Sequence, residues 1–168
     1  TVNLSSPHFK EPNLVNFVEK AVARAGVDPQ YLGIEVTESI VMRTIDSTIN
    51  TLKRLKDMSI RMSIDDFGTG YSSLSYLSRF PIDVLKIDRS FVQNSDSTTE
   101  DAKITSAIIA MAKSLKLEVV AEGVETESQR TFLKQHQCRY MQGYLFSKPL
   151  PAEELTPILQ RQIPDRST

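Results

Sequence analysis

The sequence has a single cysteine, Cys138. An internal disulfide is therefore excluded, a reducing compartment fits, and Cys138 reads as a small buried residue in preference to a reactive thiol. No apolar run reaches the ~18 residues needed to cross a bilayer, and no basic, apolar, small-residue series opens the chain as a secretion signal would. This segment is expected to make no membrane contact and to lie in the cytoplasm, whether or not other domains tether its parent to the inner membrane. An excess of one charge is missing too: 20 Lys and Arg against 21 Asp and Glu leave a net charge of −1. No global field then recommends a DNA or RNA duplex as partner, and any phosphate recognition must be local. There is no low-complexity tract and no linker rich in Gly or Ser. At 168 residues and 40% apolar content, one domain with a real core is expected. The chain opens on Thr1 rather than Met, already inside strand-like sequence, and reads as a fragment whose beginning lies elsewhere.

What is present is a regular alternation of two periods. Strand-like runs lie at residues 2–5, 32–37, 60–64, 83–88, 117–122 and 139–143. Helical spacing covers 12–26, where Leu14, Phe17, Val18, Ala21, Val22 and Ala25 share a face and Gly26 stops the helix. Further helices are predicted over 44–58, 104–115, 126–135 and 151–161, with a turn or two at 74–77 and a polar loop over 94–101. The stripe Ile104, Ile108, Met111, Ala112 and Leu115 is expected to pack into the core, as are Phe132 and Leu133.

Strands alternating with helices imply a parallel sheet with crossover helices, either an open doubly wound sheet or part of an eight-stranded barrel. Parity separates the two. Ile34, Val36, Met62, Ile64, Leu85, Ile87, Val119 and Ala121 share one orientation, while Glu35, Thr37, Ser63, Asp65, Val84, Lys86, Asp88, Val120 and Glu122 share the other. An open doubly wound sheet buries both faces against helices and should be apolar on both. One polar face, with charge gathered at the strands' C-terminal ends, is the pattern of a barrel interior and its functional rim. The expected fold is therefore α/β, a partial (β/α)8 TIM-like barrel with about six parallel strands, roughly two short of closure.

Asp65-Asp66-Phe67-Gly68-Thr69-Gly70-Tyr71-Ser72-Ser73 is the centre of this pattern. Two adjacent carboxylates leave a strand, and Gly68 and Gly70 are expected to make a tight turn through positive φ. Carboxylates at roughly 4 Å repel by about 4 kcal/mol at an effective dielectric near 20, a cost that a cation between them removes. Asn3, Glu35, Asp65, Asp66 and Glu122 offer oxygen ligands from four strand ends. That set suits hard divalent ions such as Mg²⁺ or Mn²⁺, whereas zinc would recruit His or Cys, and His8 and His136 lie outside the rim. Four acids could hold two ions, the arrangement used in phosphodiester displacement. Lys86 could orient or help deprotonate the attacking water, and Gln142 could hydrogen-bond it.

Glu35-Val36-Thr37-Glu38, the Asp65 to Ser73 stretch, Leu85-Lys86-Ile87-Asp88, Ala121-Glu122-Gly123-Val124-Glu125, Gln142-Gly143-Tyr144 and Lys148-Pro149-Leu150 together resemble the successive motifs of EAL-domain phosphodiesterases. The resemblance implies a modified (β/α)8 barrel that hydrolyses cyclic di-GMP to linear pGpG with Mg²⁺ or Mn²⁺. By resemblance, Asn3, Glu35, Asp65, Asp66 and Glu122 match metal ligands, Lys86 the water-activating lysine, and Gln142 the glutamine that supports the water, so that Lys86, Glu122 and Gln142 form the catalytic set. Phe67, Gly68, Thr69, Gly70, Tyr71, Ser72 and Ser73 match a switching loop at a homodimer contact, with Glu38 steadying it. The family's Glu-Ala-Leu motif has no counterpart here. Residues 1–162 then read as the C-terminal two-thirds of such a domain and 163–168 as a tail. The parent is expected to be an enzyme and the fragment alone to have little or no activity. A cyclic di-GMP sensor and an interaction scaffold are the alternatives.

Overall fold

A computed structural model describes residues 1–43, 45–70, 74–94 and 99–162. Six strands, β1 (Val2–Asn3), β2 (Gly33–Thr37), β3 (Arg61–Phe67), β4 (Val84–Ile87), β5 (Glu118–Ala121) and β6 (Tyr140–Met141), form one sheet in the order β1-β2-β3-β4-β5-β6. Every pairing is parallel. A doubly wound sheet reverses its strand order at a switch point. This one never does, so it winds in one direction, as a barrel must.

Nine α-helices appear among the described residues, besides a 3-10 turn at Pro29–Tyr31: α1 (Ser6–Phe9), α2 (Leu14–Ala25), α3 (Glu38–Arg43), α4 (Ile45–Asp57), α5 (Leu74–Leu77), α6 (Arg89–Gln93), α7 (Glu100–Ser114), α8 (Glu127–Gln135) and α9 (Ala152–Gln162). The short α1, α3 and α6 are too brief to show helical periodicity in the sequence. Local chemistry sets several ends. Gly26 closes α2 in the left-handed conformation at φ 63°. Thr126 and Gln129 form a reciprocal capping box on α8. Thr99 caps α7 by accepting from the Ala102 amide, so Glu100 and Asp101 belong to that helix's first turn and not to the predicted loop. Acidic residues there complement the partial positive charge of a helix N-terminus.

The core lies between the sheet's apolar face and its helices. Val36, Met62, Ile64, Leu85, Ile87 and Ala121 are fully buried against Leu52, Leu55, Ile109, Ala112 and Leu133. Cys138 is buried as expected, its Sγ 3.3 Å from the Tyr140 carbonyl. Two predicted stripes need correction. On α7 the buried residues are Ala102, Thr105, Ile108, Ile109 and Ala112, while Ile104 is 41% exposed. Apolar residues surround that helix, so its spacing alone does not select the inner side. On α2 only Leu14 and Val15 are buried, and Phe17 is 70% exposed. The rest of the α2 face, with Val2, Leu4 and Leu32, lines an apolar cavity of about 740 Å³ beside the edge strand β1.

At the strands' N-terminal ends, Lys56 pairs with Asp83, which also accepts from the Met62 amide at 2.9 Å, and Arg61 pairs with Glu118. These contacts tie the lower rim together. The opposite rim carries the unusual charges.

Candidate metal centre

The site is created by an irregularity in β3. Ile64 lies opposite Leu85 and Phe67 opposite Ile87, so Asp65 and Asp66 together face the single residue Lys86. This is a β-bulge, in which two residues on one strand oppose one on its neighbour. Asp66 adopts φ 53°, a left-handed conformation that Asp tolerates better than most side chains. Strict alternation would send adjacent side chains to opposite faces of the sheet. The bulge cancels that alternation and brings both carboxylates to one mouth.

Glu122 follows β5 directly, its amide donating to the Ile87 carbonyl at 3.1 Å. Ligand oxygens of Asp65, Asp66 and Glu122 then lie within 4.8 Å of one another. All three donors are carboxylates, and no His or Cys joins them among the described residues. That donor set fits a hard divalent cation such as Mg²⁺ or Mn²⁺.

Lys86 binds this group into a larger cluster. Its Nζ donates to Glu35 Oε2 at 2.7 Å, to Glu122 Oε1 at 2.8 Å and to Asp65 Oδ1 at 2.9 Å. The Lys86 side chain is 10% exposed and that of Glu35 7%. Burial disfavours the ammonium, but hydrogen bonds to Glu122, Glu35 and Asp65 outweigh it and raise the Lys86 pKa well above its ordinary value. Burial likewise pushes the Glu35 carboxyl up, and hydrogen bonds from Lys86 and Thr1 reverse the direction, leaving it below the usual range. Glu122 goes the other way: burial, with the charges of Asp65 and Glu35, prevails over its contact with Lys86 and raises it. Asp66 is raised by burial and then by repulsion from Asp65 and Asp88.

Asn3 pairs with Glu35 across β1 and β2 and is itself exposed. Gln142 follows β6, held through its backbone to the Ala121 and Val124 main chain, with an exposed side chain. Asp88, although on the polar face by parity, caps α6 by accepting from the Ser90 amide. Glu38 is 2% exposed and accepts from the Gly68 amide at 2.9 Å and the Gly70 amide at 3.4 Å. Gly68 takes φ 103° as expected, but Gly70 does not take positive φ. Its requirement is space, because a Cβ there would stand 2.7 Å from Glu38 Oε1. Phe91, absent from the sequence-based site, lies against Gly68, where an added Cβ would come within 2.7 Å of its ring. No spacing signal connects two residues of different elements. Tyr71, Ser72 and Ser73 lie outside the described residues.

The family model "EAL domain" matches residues 1–149. The cyclic di-GMP phosphodiesterase NbdA of Pseudomonas aeruginosa is 48% identical over 159 residues, which cover 95% of this chain and 20% of that protein. The chain thus spans about a fifth of the length of that curated relative. Among solved structures, the PaMucR phosphodiesterase in complex with c-di-GMP superposes with a TM-score of 0.88 at 48% identity, over 92% of this chain and 62% of that one. Klebsiella pneumoniae BlrP1 in its manganese and cyclic di-GMP complex superposes at 0.80 with 35% identity, over 88% of this chain and 38% of that one.

Proposed function

The chain belongs to the EAL-domain family, and from that premise we propose that residues 1–162 are the C-terminal two-thirds of a domain that hydrolyses cyclic di-GMP to linear pGpG in the cytoplasm. The observation that carries this reading is the bulge that turns Asp65 and Asp66 to one mouth beside Glu122. Solved relatives that hold cyclic di-GMP, one of them with manganese, support the substrate and a divalent ion. Asp65, Asp66 and Glu122, with Glu35 and Asn3 beside them, would hold one or two Mg²⁺ or Mn²⁺ ions. Such ions supply a nucleophilic water at neutral pH and stabilise charge on a phosphodiester.

The protein's own groups have distinct tasks in this reading. Lys86 acts as a hydrogen-bond donor that orients the water; held as an ammonium by three carboxylates, it has no lone pair with which to take a proton. Gln142, exposed at the end of β6, offers a second contact to that water. The loop from Phe67, steadied by Glu38 through the Gly68 and Gly70 amides, would couple the site to a second copy of the domain.

The exposed apolar face of α2 and the edge of β1, unpaired on its outer side among the described residues, support a preceding segment of the parent that completes the barrel. Without that cover, the isolated chain would be weakly active or would only bind the nucleotide. Supplied with Mg²⁺ or Mn²⁺, the parent protein should convert cyclic di-GMP to pGpG, followed by chromatography of the products. Asp65→Asn should reduce turnover by a factor of about 10² or more while leaving the circular dichroism spectrum intact. Undiminished turnover in that variant would remove Asp65 from the metal set.

A further inference from the structure

We infer that Lys86 is a resident counter-cation of the acidic mouth, which an entering divalent ion must displace from Asp65 and Glu122. The inference rests on the metal reading above, yet concerns what the protein does before an ion arrives. An ammonium has three N–H donors, and all three of Lys86 are spent on Glu35, Asp65 and Glu122 at 2.7 to 2.9 Å. Two of those acceptors, Asp65 and Glu122, also belong to the carboxylate triad completed by Asp66. An ammonium and a divalent ion sharing these carboxylates would repel each other strongly, because the surroundings screen them weakly.

Lys86 cannot withdraw far. Its backbone is fixed in β4 between Leu85 and Ile87, both fully buried, and its side chain is only 10% exposed. Glu35, the most buried of the three partners, is the acceptor that can keep the ammonium while Asp65 and Glu122 turn to the ion. Before an ion arrives, Lys86 thus has two effects. It holds three mutually repelling acids in place without metal, and it weakens the affinity of the mouth for its first ion. The site gains order at the expense of tight binding.

The test measures binding, not turnover. Free Mn²⁺ is followed by electron paramagnetic resonance in titrations of the full chain, its Lys86→Met variant and its Lys86→Arg variant. Lys86→Met should bind Mn²⁺ at least about tenfold more tightly than the unaltered chain, and Lys86→Arg, which keeps the charge, should stay within about threefold of it. To keep the test independent of how Lys86→Met folds without metal, a second measurement uses the unaltered chain alone. Its Lys86 ammonium resonance in a ¹⁵N-labelled sample should shift in step with Mg²⁺ saturation. Equal or weaker Mn²⁺ binding by folded Lys86→Met, or a stationary ammonium signal while Mg²⁺ saturates, would overturn the displacement and leave the metal site standing. Failure of the unaltered chain to bind either ion would overturn the metal reading, and the displacement with it.

Discussion

Replacing Glu38 by alanine should loosen the loop that follows the two aspartates while sparing the sheet. The Glu38 carboxylate is 2% exposed and accepts from the Gly68 amide at 2.9 Å and, more weakly, from the Gly70 amide at 3.4 Å. A hydrogen bond to a charged group contributes about 1.5–3 kcal/mol. The first bond should count nearly in full and the second, at the limit of useful distance, for a fraction, while water entering the opened loop recovers part of the loss. The net cost is about 2 kcal/mol, or roughly 4–8 °C in melting temperature for a domain of this size. Thermal unfolding followed by circular dichroism reads that shift, and amide hydrogen exchange locates it. Exchange should accelerate at Gly68 and Gly70 and stay slow in β2 and β4. Glu38→Gln, which keeps an acceptor without the charge, should lose about half as much. A Glu38→Ala protein melting within about 1 °C of the unaltered chain, or one whose exchange rises evenly across the sheet, would refute this account of the loop.

Acid should weaken the fold through Glu35, whose folded pKa lies below its ordinary value of 4.5. That contribution is fully present above the ordinary value and is lost as pH falls through the folded one. Urea midpoints measured from pH 7 downward should therefore fall less steeply in Glu35→Gln than in the unaltered chain, and identical slopes would count against the Lys86 to Glu35 contact. The buried and the exposed isoleucines of α7 should also separate cleanly. Ile109→Ala removes a side chain that is 1% exposed and should cost about 3 kcal/mol, whereas Ile104→Ala, at 41% exposure, should cost under about 1 kcal/mol by the same denaturation assay.

Much of this architecture is written in short stretches of sequence. Alternating periods mark the strands and longer helices because each strand shows its two faces in alternate residues. The polar parity class, from Glu35 to Glu122, identifies a barrel interior for the same reason. Structure departs from the sequence pattern where a competition exists that local pattern does not resolve. Ile104 and Ile109 are equally apolar, and only the position of the sheet chooses between them. The α2 stripe is a sound amphipathic pattern, yet Phe17 on it stays 70% exposed among the described residues. Gly70 sits where the sequence predicts positive φ, yet it serves by leaving room for Glu38.

Taken by itself, the order of residues determined the strand sequence, the polar inner face and the choice of carboxylates over histidine or cysteine as candidate ligands. Tertiary structure alone decided that Asp66 joins Asp65 at one mouth, because strict alternation forbids it and only the two-against-one pairing with Lys86 permits it. It also decided that Lys86 reaches Glu35, 51 positions away, together with Asp65 and Glu122. Periodicity acts along the chain, whereas charge acts through space, and only the closing together of separate strands brings these four groups within reach of one another.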